Sequence, residues 1–111
     1  MREEIQVRFS RRFVRAYGVF RATGKIAADD MAYTLEKIAE GWPLPDEWSD
    51  HELEDNWSGF REFHFMGEPD LLVIYRRIGA EVIFENIGRH RDFFLHRKWQ
   101  RKGRGFPGRS R

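Results

Sequence analysis

The stretch FREFHFMGEPDLLVIYRRIGAEVIFENI, residues 60–87, decides the fold of this chain. Residues 60–65 alternate in a way that places Glu62 and His64 on one face of a strand and Arg61 on the other. Turn-forming residues divide the remainder into two apolar strands, with turns at 67–70 and 79–80 and strands at 71–77 and 81–87. The stretch therefore predicts a three-stranded antiparallel meander.

The first forty residues predict one strand followed by two helices. Residues 5–9 alternate between apolar and polar side chains, as in a half-buried strand. Apolar residues then recur at helical spacing from the capping residue Ser10 to about residue 22. The same spacing returns over residues 27–40 and ends at a glycine. The N-terminal part thus supplies one more strand for the sheet and two helices to cover it.

Together these elements predict an α+β fold, a single β-α-α-β-β-β domain in which two helices cover one face of an antiparallel sheet. Residues 46–56 are acidic and aperiodic, so we expect an ordered loop there, and residues 90–94 predict a helical turn. Trp57 and Tyr75 are expected to be packing residues. We expect the second face of the sheet to be open and bordered by the loop and the helical turn.

The composition indicates one folded domain without disulfides. The chain has 111 residues, of which 41% are hydrophobic and 34% charged, and it has no cysteine. Its longest apolar run, residues 71–75, is far shorter than the roughly 20 residues that a bilayer requires. No apolar segment follows residues 1–4, so a signal peptide is not expected. We expect a protein that acts in the cytoplasm and not in a membrane.

The net charge of +2 conceals a strong asymmetry. Residues 97–111 hold seven basic residues and no acidic one, whereas residues 1–96 hold 13 basic and 18 acidic residues, a net charge of −5. Basic tails bind nucleic acid by neutralising phosphates and releasing counterions. The chain therefore divides into a folded domain at 1–96 and a basic tail at 97–111, for which RNA binding and a solvated end with no specific role are both open.

Three histidines lie in polar settings within the C-terminal half: His51, His64 and His90. Histidine exchanges protons near neutral pH, so a converging group of them can supply both the acid and the base of a reaction. Each could instead be an ordinary surface residue. No pair has the close repeat of a zinc motif such as His-Glu-x-x-His, so we expect neither a metal nor another cofactor.

Residues 43–94 hold a set of short motifs: Pro43-Leu44-Pro45, Asp50-His51-Glu52-Leu53, Asn56-Trp57-Ser58-Gly59-Phe60-Arg61-Glu62, His64, Glu68-Pro69-Asp70, Leu72-Val73-Ile74-Tyr75 and Gly88-Arg89-His90 with Phe94. In their order and nearly in their spacing these motifs resemble the YafQ toxins, which belong to the RelE-like superfamily of bacterial toxin–antitoxin systems. The first 42 residues agree only in their strand–helix–helix pattern. The resemblance assigns residues 1–96 to a toxin domain of this kind.

The resemblance implies a ribosome-dependent messenger RNA endonuclease that an antitoxin protein silences by forming a hetero-oligomer with it. It also implies that His51, His64, Asp70, His90 and Phe94 form the active site. Metal-free cleavage of RNA needs a base for the 2′-hydroxyl, a cation for the phosphorane and an acid for the departing 5′-oxygen.

The predicted roles follow from this chemistry. We assign His90 as the acid and leave the base open between His51 and His64, with Asp70 orienting one imidazole. The predicted contacts to RNA phosphates come from basic residues of the domain and of the tail: Arg61, Arg89, Arg97, Lys98 and Arg101. Arg61 is the weaker of the domain candidates, because strand alternation places it on the face opposite His64.

Three departures from the family pattern bear on activity. Leu71 stands where the family usually has tryptophan, and Asn86 where it usually has arginine. Residues 65–67 make the segment before Asp70 about two residues longer, which puts the position of its carboxylate in question. An alternative is therefore a weak or inactive toxin-fold protein that binds antitoxin, ribosome or nucleic acid, and a third is an RNA- or DNA-binding module that relies on the tail.

Overall fold

The computed structural model describes residues 4–94, with only the backbone of Phe94. Five strands and three helices are present in this range, in the order β1 Gln6–Phe9, α1 Arg11–Ala22, α2 Asp30–Glu40, β2 His51–Glu52, β3 Arg61–His64, β4 Leu72–Ile78, β5 Glu81–Gly88 and α3 His90–Phe94. The predicted α+β class is confirmed. No helix within residues 4–94 is long and apolar enough to cross a bilayer.

The sheet has the order β1-β5-β4-β3-β2. The meander of β3, β4 and β5 is antiparallel, as predicted. β1 instead pairs with β5 in parallel, with Gln6 opposite Glu81 and Phe9 opposite Phe84, so the sheet is mixed and not purely antiparallel. Local alternation records that a strand exists but not its direction, and the two helices between β1 and the meander allow the parallel arrangement.

The segment predicted as a loop contains β2, which is only two residues long. His51 lies opposite Glu62 and Glu52 opposite Arg61, so β2 forms the antiparallel edge beside β3. Short 3₁₀ turns flank it at Asp46–Trp48 and Asp55–Trp57. A two-residue strand has no detectable alternation, which is why the sequence pattern did not reveal it.

Both long helices pack on one face of the sheet. Phe13 of α1 and Ile38 of α2 are 1% exposed and belong to the same apolar cluster as Phe63, Val73 and Phe84. Ser10 accepts a hydrogen bond from the Phe13 amide at 2.9 Å, which confirms its predicted role as the helix cap. We call this face the helix side.

The second face is partly covered, so the prediction of an open face was wrong in part. Trp57 and Phe93 pack there against Leu72 and Ile74, which project from β4 away from the helices. The register between β4 and β5 shifts after Ile74 and leaves Asn86 opposite it. We call this face the site side, because the predicted histidines lie along it.

Candidate active site

β3 supplies two members of the site, Glu62 and His64, which are neighbours on the same face of the strand. They are opposite Ile74 and Leu72 in the strand register, and both therefore face the site side. The Glu62 side chain is only 6% exposed, and its Oε2 atom lies 3.9 Å from Nε2 of His64. A carboxylate buried to this extent requires positive charge or hydrogen-bond donors nearby.

β2 supplies His51 from the neighbouring edge of the sheet. Nε2 of His51 lies 3.6 Å from the same Oε2 atom of Glu62. Nδ1 lies 2.7 Å from the carbonyl oxygen of Ser49. A carbonyl oxygen can only accept a hydrogen bond, so Nδ1 carries the hydrogen and donates this bond. The other ring nitrogen, Nε2, therefore faces Glu62. The two imidazoles of His51 and His64 are thus held on either side of one carboxylate.

α3 supplies His90 at its first residue. Oδ1 of Asp70 accepts a hydrogen bond from the backbone N–H of His90 at 2.8 Å and lies 2.8 Å from Nδ1 of the same residue. The ring centroids of His90 and His64 are 6.1 Å apart, with an interplanar angle of 79°. The three histidines predicted from the sequence therefore converge at one end of β3.

Asp70 accepts two hydrogen bonds from one residue, His90. The bond from the His90 backbone N–H contributes most, and the bond from the His90 side chain adds to it, in lowering the pKa of the Asp70 carboxyl below its ordinary value. The carboxylate beside Nδ1 also fixes which nitrogen of His90 faces the other histidines.

The longer segment before Asp70 does not remove it from the site. Residues Phe65–Gly67 form a 3₁₀ turn in which Met66 and Gly67 have φ values of 55° and 74°. The Thr34 hydroxyl lies 3.8 Å from the Met66 sulfur, so the turn contacts α2. The extra residues are thus absorbed on the helix side, and the Asp70 carboxylate still reaches His90.

α3 lies close against the end of β5. Oδ2 of Asp92 accepts a hydrogen bond from the Arg89 amide at 2.7 Å, which closes the first turn of the helix. A Cβ atom on Gly88 would lie 2.8 Å from that oxygen and 3.1 Å from Cζ of Phe93. Any larger residue at 88 would therefore displace the Asp92 and Phe93 side chains, which lie in the same short helix as His90.

The site is the one place in residues 4–94 where a metal ion could be held. One ligand atom from each of Glu62, His64 and His90 lies within 4.8 Å of the others. Imidazole and carboxylate are ordinary ligands of divalent transition metals, and the Asp70 contact to the outer nitrogen of His90 resembles the support that such ligands receive. The group has no thiolate and includes one exposed residue, so nothing beyond its spacing specifies an ion.

The predicted phosphate contacts occupy different positions. Arg61 lies on the helix side, where Nη2 is 2.9 Å from Asp50 and Nε donates to the Tyr75 hydroxyl at 3.1 Å. It is not brought together with the histidines. Arg89 is half-buried and lines a groove of about 410 Å³ next to Asp70, together with Lys25. Of the two domain arginines, only Arg89 borders the groove that Asp70 also lines, and its role at a phosphate stays a prediction.

Several predicted site residues fall outside what can be described. The backbone of Phe94 ends α3, but its side chain is outside the described part of the chain, as are Arg97, Lys98 and Arg101. Their roles stay predictions. The domain boundary at residue 96 lies outside the described residues as well.

Glu62 is the site member that sequence reasoning missed as a functional residue. Alternation along β3 placed it on the face of His64, and this was the available signal. Its contact with His51 depends on the pairing of β2 with β3, which the sequence pattern did not reveal.

Leu71 and Asn86, which depart from the family pattern, both make contacts within the fold. Leu71 is 7% exposed and packs in the helix-side core. The Asn86 side chain is on the site side and accepts a hydrogen bond from the Ile87 amide at 2.9 Å. Neither offers an aromatic surface or a cation to RNA.

Comparison with known proteins gives a consistent assignment. The family model described as "Bacterial toxin of type II toxin-antitoxin system, YafQ" matches residues 5–95. A relative from Escherichia coli (strain B / BL21-DE3), the mRNA interferase toxin YafQ, is 38% identical over 52 residues, which are 47% of this chain and 54% of that protein. The aligned segment thus spans about half the length of this curated relative.

Solved structures show the same fold. A structure of the E. coli DinJ-YafQ complex has a TM-score of 0.68 at 26% identity, covering 82% of this chain and 99% of that one. A metal-bound toxin from Helicobacter pylori has a TM-score of 0.69 at 23% identity, covering 81% and 99%. The family match extends over nearly all the residues that form the sheet, the helices and the histidine site, and the chain therefore belongs to the YafQ family of bacterial toxins of type II toxin-antitoxin systems.

Proposed function

We propose that this chain is an mRNA endonuclease toxin that cuts translated messages on the ribosome by histidine acid–base catalysis. The observation that carries the proposal is the convergence of His51, His64 and His90 around Glu62, with Asp70 on the outer nitrogen of His90. Cleavage of a phosphodiester without a metal needs a base at the attacking 2′-oxygen and an acid at the departing 5′-oxygen. Two imidazoles that are separated on one surface can take these two roles.

In the proposed reaction His51 is the base and His90 the acid. Nε2 of His51 takes the proton from the ribose 2′-hydroxyl, which then attacks the adjacent phosphorus. Glu62, 3.6 Å from that nitrogen, stabilises the imidazolium that forms. Nε2 of His90 gives its proton to the departing 5′-oxygen, while Asp70 holds Nδ1. The bond from phosphorus to the 5′-oxygen breaks as the bond to the 2′-oxygen forms, and the products are a 2′,3′-cyclic phosphate and a 5′-hydroxyl.

His64 and Arg89 have supporting roles in this proposal. His64 lies between the other two imidazoles and, when protonated, supplies positive charge for the phosphorane. Arg89 borders the groove beside Asp70 and would neutralise a neighbouring phosphate. Phe94 would shape the pocket or support a base.

The proposed partners follow from the family and its relatives. An antitoxin protein, as in the DinJ-YafQ complex, would bind the toxin and silence it in a hetero-oligomer. The ribosome and its message would be the working partners, which places the activity in the cytoplasm. The basic tail would add contacts to RNA phosphates.

Mapping message ends on translating ribosomes tests the proposal. The full chain should produce new ends in translated messages and few in the same RNA without ribosomes. A chelator selective for transition metals, added with Mg²⁺ in excess so that the ribosomes stay intact, should leave the rate unchanged. His90→Ala should abolish cutting while the circular dichroism spectrum and Tm stay close to those of the native chain. Cutting that survives in both His90→Ala and His51→Ala would overturn the mechanism, and equal cutting of free RNA would overturn ribosome dependence.

A binding protein that no longer cuts is the second candidate function. It is favoured by the burial of Leu71 and the hydrogen bond of Asn86, because both positions lack the side chain that the family usually presents. The same experiment separates the two candidates. Ribosome binding by the native chain without new message ends would support the second.

A further inference from the structure

We infer that Asp50, Arg61 and Tyr75 act as positioning residues that hold the edge strand β2 in register and thereby place His51 in the site. We call these three residues the Asp50 cluster. It lies on the helix side of the sheet, opposite the histidines. The inference rests on the proposed function for its kinetic consequence but not for its structural one.

β2 has little intrinsic means of staying in place. It is an edge strand of two residues, and both His51 and Glu52 are exposed. The chain on either side adopts left-handed conformations at Ser49 and Asp55, with φ values of 52° and 58°. Short edge segments with strained flanks open easily, so something else must fix the strand.

The Asp50 cluster supplies that constraint. The Asp50 side chain is only 10% exposed. Its carboxylate accepts hydrogen bonds from Arg61 Nη2 at 2.9 Å, from Arg61 Nε at 3.4 Å and from the Tyr75 hydroxyl. Arg61 Nε also donates to the Tyr75 oxygen at 3.1 Å. The three side chains therefore form a closed triangle that joins the residue before β2 to β3 and β4.

Tyr75 anchors the cluster rigidly. Its ring is fully buried in the helix-side core, and its oxygen accepts a hydrogen bond from Nε1 of Trp42 at 3.3 Å. With Trp42 and Arg61 as donors and Asp50 as acceptor, the hydroxyl has its full complement of partners. Burial and the negative charge of Asp50 raise the pKa of Tyr75, so it remains a donor at neutral pH.

Strand alternation connects the cluster to the site. Asp50 immediately precedes His51 of β2, and Arg61 immediately precedes Glu62 of β3, so each of these two cluster residues has a site residue as its neighbour on the opposite face. Fixing Asp50 against Arg61 fixes His51 opposite Glu62. The Asp50 ion pair also engages the Arg61 guanidinium, which strand alternation already places on the face opposite the histidines.

Tyr75→Phe tests the inference, because it removes one hydroxyl and keeps the buried ring. Tyr33→Phe, at an exposed position on α2, is the matched control. The Leu53 amide, which bonds to the Phe60 carbonyl at 3.0 Å, reports on the β2 edge by hydrogen exchange. Its exchange should become about 3- to 10-fold faster in Tyr75→Phe, the range for one net hydrogen bond, while the Val73 and Phe84 amides and the Tyr33→Phe chain change much less.

Cleavage kinetics supply the second readout. Tyr75→Phe should lower kcat by roughly 10- to 100-fold with little change in KM, as expected for a misplaced catalytic group. In a His51→Ala background the same change should cause no further loss, because the cluster acts through His51. A merely structural role would give equal losses in both backgrounds.

The outcomes distinguish the two proposals. Unchanged Leu53 exchange in Tyr75→Phe, or equal kinetic losses with and without His51, overturns the positioning role. If His51→Ala cuts as fast as the native chain, the assigned base is wrong, and Leu53 exchange alone then decides whether the cluster holds β2.

Discussion

Glu62 concentrates the chemistry of the site in one buried carboxylate. Transfer of a carboxylate out of water is costly unless cations or donors accompany it, and here two imidazoles lie within 4 Å of the same oxygen. Glu62 thereby links the two candidate bases, His51 and His64, into one unit.

Glu62→Gln should reduce cleavage on ribosomes by at least about tenfold with little change in Tm. The amide keeps the shape of the side chain but removes the charge that orients both imidazoles. Glu85→Gln is the matched control, since Glu85 also pairs with a cation, Arg76, at 2.8 Å but is not a member of the site. Equal activity of the two variants would show that the Glu62 charge has no part in the reaction.

Because its carboxyl changes pKa on folding, Asp70 should make the free energy of unfolding depend on pH. Its pKa is lower in the folded chain than in the unfolded chain, chiefly because of the His90 backbone N–H. A carboxyl of this kind stabilises the fold fully above its unfolded pKa of about 3.9. The contribution is lost as the pH falls through the lower, folded value.

The free energy of unfolding of the native chain should therefore exceed that of Asp70→Asn at neutral pH, and the difference should vanish in acid. Denaturant titrations at a series of pH values measure it. Asp29→Asn is the control, because the Asp29 side chain makes no capping hydrogen bond to α2. A difference that persists below the folded pKa of Asp70 would contradict this account.

The sequence predicted most of the site residues but not how they are connected. The histidines and Asp70 were identified from polar context and family resemblance, and the structure brings them together. Arg61 was considered for phosphate binding because a cation near a histidine suits that role, but strand alternation places it on the other face, as the sequence indicated, and there it pairs with Asp50. The pairing itself was not predicted, because it joins two segments of the chain and no local pattern reports it.

At the level of elements, the position of α3 controls His90. The helix begins one residue after β5, and its Asp92 and Phe93 side chains approach Gly88 so closely that an added methyl group would force them to shift. The predicted helical turn at 90–94 is confirmed. Its packing against the strand end was not predictable, because it depends on how Phe93 enters the site-side cluster.

Gly88→Ala should destabilise the chain by about 1–3 kcal/mol and strongly reduce cleavage, since α3 must shift and carry His90 with it. Gly18→Ala makes the same change in the exposed middle of α1, where a Cβ would meet nothing within 4 Å. There alanine should stabilise by about 0.5–1 kcal/mol. Thermal and denaturant unfolding of both variants check the opposite signs, and two equal effects would argue against the close contact.

Local patterns predicted the meander, whereas two features of the sheet that depend on distant contacts, strand β2 and the direction of β1, were not predicted. The meander was predictable because residues 61–88 carry alternation and turn residues within each strand. β2 was not, because it forms only through its contact with β3. The direction of β1 was also hidden, since it depends on where two intervening helices return the chain.

At the scale of the whole molecule, charge is distributed unevenly along the chain. Residues 1–96 carry a net charge of −5, and the seven cations of residues 97–111 reverse the sign of the chain. An acidic domain is repelled by ribosomal RNA at long range, so the tail would supply the attraction needed for encounter.

A chain ending at His96 should bind ribosomes more weakly than the full chain, and the slope of log affinity against log salt should become shallower. A full-length variant with Arg97, Lys98 and Arg101 changed to Gln controls for tail length. Cosedimentation with ribosomes over a series of salt concentrations gives the measurement. Identical binding by the truncated and full chains at every salt concentration would leave the tail without an RNA contact.

The parallel pairing of β1 with β5 has a consequence for synthesis of the protein. The first strand to be made, Gln6–Phe9, must wait for Glu81–Phe84 before it has a partner. Pairing across such a sequence separation is slow compared with local contacts. A chain still being translated therefore lacks the β1–β5 edge of the sheet until residue 84 has been made, and α3 with His90 follows only after that edge.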